Sequence, residues 1–114
     1  PLDHLPATGR YSLQNRLIGG QNLDNGFGGW GGAARICWPV QPMALEISST
    51  DAAYFQVYSP VGQGFFAAEP VQHANAALNE AQDQWPQLGL KVLAQGESRR
   101  LRVQFGVIDD LPGA

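Results

Sequence analysis

The chain has 114 residues, of which 44% are hydrophobic and 15% charged, so it supports one domain with one modest core. Its formal net charge of −3 argues against nucleic acid or an anionic membrane surface as a partner. Cys37 is the single cysteine, which excludes an internal disulfide, and one cysteine with two distant histidines lacks the ligand spacing of a zinc site.

Short alternating segments separated by turn residues predict that most of the chain forms β-strands. The strand candidates, in chain order, are residues 12–18, 34–38, 43–48, 53–58, 64–68, 90–93 and 100–107. The third and fourth are separated by a gap of hairpin length. The last is the clearest, because apolar residues alternate with polar ones or glycine over a full strand length.

Residues 73–81 alone have a helix-forming composition, and at about two turns such a helix is too short to be stable by itself. The pattern as a whole therefore predicts an all-β protein, with residues 1–114 forming a single antiparallel β-sandwich piece. No signal segment follows Pro1, and we expect a cytoplasmic location without a membrane partner.

The aromatic residues exceed what one small sandwich can bury. We expect an inner face made by Phe55, Phe65, Phe66, Leu101 and Phe105. Further apolar surface is left over on Tyr54, Tyr58, Trp30 and Trp38. This surplus predicts a C-terminal fragment that associates with a copy of itself or pairs with a missing N-terminal segment. The alternative is that these aromatic side chains are simply half-buried.

Seven of the 14 glycines lie in residues 19–32, which we expect to form a loop. Their spacing includes G-x-G-x-x-G, but the strand and helix that a dinucleotide site needs around it are missing. The segment presents Asp24, Asn25 and Trp30, and acids, amides and an indole face are the groups that bind sugar hydroxyls and sugar rings. The alternative is an Asx-type turn at Asp24 with Trp30 as part of the core.

Glu69 follows an apolar segment and precedes Pro70. At the end of an apolar strand its carboxylate would lie at the rim of a hydrophobic surface, where desolvation favours the proton-transfer chemistry of a general base. The alternative is a solvated acid at a strand end. His73 is interpreted as a residue of local structure.

These segments resemble the aldose 1-epimerase (galactose mutarotase) family. The resemblance rests on LDNGFGGW at residues 23–30, on FFAAEPVQH at residues 65–73 followed by AALN at 76–79, and on VLAQGES at 92–98. The order and spacing agree from about Leu5 to Ile108, and the stretch is similar to the C-terminal part of that family.

The resemblance implies a large β-sandwich of the galactose mutarotase type and an isomerase that interconverts the α and β anomers of a free aldose without a cofactor. It implies that Glu69 is the catalytic base that takes the proton of the anomeric hydroxyl and that Asp24 binds a sugar hydroxyl. The family's general-acid histidine lies upstream of the matched stretch, and neither His4 nor His73 matches its motif. The parent protein would therefore be the enzyme, with the 114-residue chain alone inactive.

Two other functions remain open from the sequence. One is a non-catalytic carbohydrate-binding or regulatory β-sandwich, and the other is a structural β-domain without a ligand. For the epimerase and for the carbohydrate-binding domain, the expected ligand is a monosaccharide, an aldohexose. The two site motifs contain no arginine to bind a phosphate, which favours a neutral sugar.

Overall fold

The computed structural model describes residues 4–6, 22–38 and 40–109. These residues form seven strands: β1 (His4–Pro6), β2 (Leu23–Gly28), β3 (Ala33–Cys37), β4 (Ala44–Ser48), β5 (Tyr54–Ser59), β6 (Ala67–Val71) and β7 (Gln104–Ile108). Between β6 and β7 lie three 3₁₀ turns: Ala77–Asn79, Gln82–Gln84 and Pro86–Leu88. The described part of the chain contains no α-helix. The strand candidate at residues 12–18 lies outside the described residues.

The strands form two sheets. A four-stranded sheet has the order β1-β2-β5-β6, and a three-stranded sheet has the order β3-β4-β7. β1 pairs with β2 in parallel, and every other pair of neighbouring strands is antiparallel. The predicted all-β, sandwich-like class is confirmed. Among the described residues no helix has the length and apolar character needed to cross a bilayer.

The core lies against one face of the four-stranded sheet. Phe27 of β2 and Phe55 and Val57 of β5 are buried, as the alternation of β5 predicts. Four partly buried residues pack against them: Leu23, Trp30, Ala34 and Ala68. Because Ala34 belongs to β3, this contact joins the two sheets.

The glycine-rich segment is not the loop that the sequence predicts, because residues 23–28 form β2, an inner strand of the larger sheet. Burial of Phe27 outweighs the low strand propensity of the glycines around it. The turn comes later. At Gly32 the backbone has a φ of +96°, and a Cβ there would collide with the Ser49 carbonyl oxygen, so glycine is required at this position.

β4 and β5 follow each other closely in sequence but do not form the predicted hairpin, because they belong to different sheets. The connection between them is held by hydrogen bonds. The Ser49 N–H donates to the Gly32 carbonyl at 2.9 Å, and an Asp51 carboxylate oxygen accepts the Arg102 N–H at 2.9 Å. The short gap is therefore the crossing point from one sheet to the other.

Two strands begin later than the sequence predicts. β6 begins at Ala67 rather than at residue 64, and Phe65 is 55% exposed. β7 begins at Gln104 rather than at residue 100, and Leu101 and Phe105 are exposed. The prediction that Phe65, Leu101 and Phe105 form the inner face is therefore wrong.

The segment after β6 is made of tight turns. The predicted helix at residues 73–81 is reduced to a 3₁₀ turn from Ala77. Residues 90–93 form no strand, since no described strand pairs with them. The tyrosine hydroxyl of Tyr54 donates to the Gln87 carbonyl at 3.2 Å, and a Cβ at Gly89 would collide with the Gln72 carbonyl oxygen. These contacts hold the 3₁₀ turns against the end of the four-stranded sheet.

Candidate functional site

The strand register defines which residues share the face of the four-stranded sheet opposite to the core. Residues paired across antiparallel strands point to the same side, as do residues two apart on one strand. Two rows of paired residues form the centre of this outer face: Asp24, Tyr58 and Ala67 in one row, and Gly26, Gln56 and Glu69 in the next. The two residues predicted to act on a sugar, Asp24 and Glu69, therefore lie on the same face.

Asp24 and Glu69 do not touch each other. They are two strands apart and one row of paired residues apart, which for ordinary sheet spacing separates their Cα atoms by about 12 Å. Both side chains are exposed. The space between them on the outer face belongs to Tyr58 and Gln56, so a ligand bound by both acids would also contact these two residues.

Gln56 is the residue that sequence reasoning missed. Its side chain is half-buried beside Glu69, and no described residue hydrogen-bonds to its buried Oε1. A buried amide oxygen without a partner is costly, and a rotation of the side chain would let it accept a hydrogen bond from a ligand hydroxyl. The alternation of β5 places Gln56 on the face of Tyr54 and Tyr58, and a polar residue between two tyrosines was the available signal.

The surroundings of Glu69 differ from the prediction. Glu69 lies in the middle of β6 rather than at the end of an apolar strand, because the phenylalanines before it are outside the strand. Its neighbour Pro70 is buried on the core side, whereas the Glu69 side chain is exposed. The described part of the chain therefore does not supply the desolvation that the hydrophobic-rim interpretation of Glu69 requires.

Asn25 and Trp30 do not join the acids. Asn25 pairs with Val57, which places it on the core face of the sheet. Trp30 packs on Phe55 with a distance of 4.9 Å between ring centroids, and its indole N–H donates to the Ala33 carbonyl at 3.1 Å. The interpretation of Trp30 as part of the core is the one that fits its contacts.

Of the two histidines, His73 lies in the segment after β6 and His4 lies in β1. The Nδ1 atom of His73 lies 2.8 Å from the Ala74 carbonyl oxygen, and the segment around Gly89 packs closely on His73. This agrees with a local structural role. The backbone of His4 pairs with Gly26, so β1 places His4 next to the row that contains Glu69.

A groove on the described surface lies away from the outer face. It has a volume of about 670 Å³ and is lined by the apolar residues Trp85, Pro86, Leu90 and Val92 together with Lys91 and Arg99, among others. Neither acid of the outer face contributes to it. On the outer face itself Asp24, Tyr58 and Glu69 are exposed, whereas Gly26 is buried and Gln56 is half-buried.

No group of three or more histidine, cysteine or acidic residues that could hold a metal ion occurs within the described ranges. Comparisons with protein-family models, with curated proteins and with solved structures gave no match.

Proposed function

We propose that this chain is the C-terminal portion of an aldose 1-epimerase-like enzyme, and that the outer face of its four-stranded sheet binds a free aldohexose. The observation that carries the proposal is the register that brings Asp24 and Glu69 to one face. The two acids are distant in sequence, and each belongs to a separate motif that resembles the aldose 1-epimerase family.

In this proposal Glu69 is the general base. Its carboxylate accepts the proton of the anomeric hydroxyl, while an acid supplied by the rest of the parent protein protonates the ring oxygen. The ring opens, the C1–C2 bond rotates, and the ring closes to the other anomer as both protons return. The exposure of Glu69 on the outer face gives it access to a hydroxyl.

Asp24 and Gln56 orient the sugar. An ionised carboxylate is a strong acceptor for a sugar hydroxyl, and the Gln56 Oε1 is a second acceptor to which no described residue donates. Tyr58, 41% exposed, offers ring surface between the two rows. Acceptors arranged around an apolar ring are the elements of a monosaccharide site.

The alternative is a carbohydrate-binding β-sandwich without catalysis. One observation favours it, namely that the Glu69 carboxylate is exposed and not buried among apolar groups of the described chain. The two functions share the sugar and the residues that bind it. They differ in whether Glu69 affects a rate.

Polarimetry on freshly dissolved α-glucose or α-galactose tests the proposal. In the parent enzyme Glu69→Gln keeps the shape and hydrogen bonds of the side chain but cannot take the proton, so the rate of anomerisation should fall by about 10²- to 10⁴-fold. Sugar binding should largely persist. Asp24→Asn should instead weaken binding, because it loses a charged acceptor.

The matched control is Glu80→Gln, which removes an exposed carboxylate from the segment of 3₁₀ turns and should change neither rate nor binding. The 114-residue chain alone should not accelerate mutarotation. Full activity in this chain, or in the Glu69→Gln parent, would show that the mechanism has been assigned to the wrong residues. Sugar binding without any rate effect of Glu69→Gln would favour the non-catalytic alternative.

A further inference from the structure

Within the part of the chain that the structure describes, the two sheets have four edge strands, and these differ in how they resist pairing with another chain. Proteins protect exposed edges with proline and charged residues. Among the described edges, β1 contains Pro6, β6 contains Glu69 and Pro70, and β3 contains Arg35. β7, with the sequence QFGVI, contains neither a charge nor a proline.

β7 also carries large apolar side chains that are exposed. Phe105 is 67% and Val107 60% exposed, and both lie on the face of the three-stranded sheet that carries the buried Ile47. An unprotected edge next to exposed apolar side chains is a template for an added strand.

The charges on either side of β7 indicate which strand would be added. Arg99, Arg100 and Arg102 precede it, and Asp109 follows it, with Asp110 next in sequence. If two copies of β7 pair antiparallel, the basic flank of each copy lies beside the acidic flank of the other. A parallel pairing would place like charges together, which is unfavourable.

We propose that β7 is a self-association edge, at which two copies of this chain pair antiparallel about a two-fold axis near Gly106. In this arrangement Phe105 of each copy lies opposite Val107 of the other, and the exposed apolar side chains form one continuous row. A two-fold contact between identical edges is self-complementary and closes at the dimer. The inference does not depend on the proposed function.

Sedimentation velocity of the full 114-residue chain across a wide concentration range provides the first test. We expect the mass to rise from monomer to dimer and no further. Val107→Lys places a charge in the row and should weaken the association about tenfold or more. The control Val61→Lys carries the same change at a residue 56% exposed in the turn between β5 and β6, and should associate like the unchanged chain.

Charge reversals in the flanks test the orientation. Arg102→Asp lowers the charge of the basic flank from +3 to +1, and Asp109→Arg lowers that of the acidic flank from −2 to zero. Each should weaken the antiparallel dimer, because each reduces the opposite charge that the flank of the other copy faces. The charge-conserving controls Arg102→Lys and Asp109→Glu should associate like the unchanged chain. Both side chains are exposed. A dimer that is indifferent to both reversals would overturn the antiparallel assignment.

A disulfide tests the axis. A Cβ at Gly106 would meet no other atom within 4 Å, so cysteine fits there. Directly opposed residues in an antiparallel pair have Cα atoms about 4.5–5.5 Å apart, which a disulfide can span. In a Cys37→Ser background, which removes the exposed native thiol, Gly106→Cys should oxidise to a covalent dimer much faster than Val61→Cys.

Three results would overturn the proposal. A chain that remains monomeric at every concentration would show that the partner of the β7 edge is not a second copy of this chain. Assemblies larger than a dimer would exclude a closed two-fold contact. Equal oxidation rates for Gly106→Cys and Val61→Cys would exclude an axis at Gly106.

Discussion

β5 of the four-stranded sheet and β7 of the three-stranded sheet show the same alternating sequence pattern but cover their apolar faces to different extents. In β5 Phe55 is 5% and Val57 1% exposed, while in β7 Phe105 and Val107 remain mostly in solvent. Alternation determines which side chains share a face. Whether that face is buried depends on what packs against it, and in the described chain the core contacts lie over β2 and β5.

The largest expected difference in stability comes from truncating one phenylalanine in each sheet. Phe27→Ala should lower the free energy of unfolding by about 3–5 kcal/mol, because it leaves a cavity in the core. Phe105→Ala removes a 67%-exposed ring and should change it by only about 0.5 kcal/mol. Urea denaturation followed by tryptophan fluorescence measures both. Equal losses would show that the face of the three-stranded sheet is covered in solution.

A pair of glycine substitutions tests how the 3₁₀ segment covers the end of the four-stranded sheet. Gly89 and Gly96 have similar left-handed backbones, with φ of +81° and +87°. A Cβ at Gly89 would also meet the Gln72 carbonyl and the Tyr54 ring, whereas a Cβ at Gly96 meets nothing. We expect Gly89→Ala to cost about 2–4 kcal/mol and Gly96→Ala about 1–2 kcal/mol in thermal or urea unfolding. A Gly89→Ala effect no larger than that of Gly96→Ala would mean that the segment moves away from the sheet.

Removing a hydrogen-bonded link between the two sheets should have a smaller effect on stability. The Gln72 amide, just after β6, donates to the Arg100 carbonyl at 2.7 Å and to the Asp51 carbonyl at 3.4 Å. Gln72→Ala should lower stability by about 1–2 kcal/mol, because it leaves these carbonyls without that donor. It should also speed amide hydrogen exchange in β7 more than in β5. Gln95→Ala, at an exposed turn, is the control, and a uniform change across both strands would argue against a local link.

The smallest effect is expected on the other face of the three-stranded sheet. Arg35 and Glu46 form an ion pair of 3.5 Å between β3 and β4, with half-exposed side chains. A double-mutant cycle with Arg35→Ala and Glu46→Ala should give a coupling of at most about 0.5 kcal/mol. High salt should remove it. A coupling well above 1 kcal/mol would mean that Arg35 and Glu46 are less exposed in solution than in this structure.

The sequence predicts the faces of β5 well, because Phe55 and Val57 alternate with polar neighbours and are buried as expected. It predicts β7 only in part. The alternation from Leu101 to Val107 indicates a strand, but the strand begins at Gln104, where pairing with Ser48 of β4 begins. Pairing partners are set by tertiary structure, which periodicity within one segment does not contain.

The glycine-rich segment shows the opposite error. The number of glycines predicted a loop, yet Gly26 lies in β2 and pairs with Gln56. The neighbouring Phe27 is buried, and its burial stabilises the strand. For the candidate site the motifs singled out Asp24 and Glu69. The sequence could not place Gln56 beside Glu69, because that neighbour follows from strand register alone.

The pairing of β7 with β4 has a consequence for the order in which the molecule assembles. Ile47 and Phe105 are partners although most of the described chain lies between them, whereas β5 and β6 are joined by a short turn. Contacts between distant segments form slowly, because the ends of a long loop must first meet. During synthesis the edge of β4 that pairs with β7 therefore stays unpaired until β7 leaves the ribosome. This interval is when a nascent chain is most open to capture by a neighbouring strand.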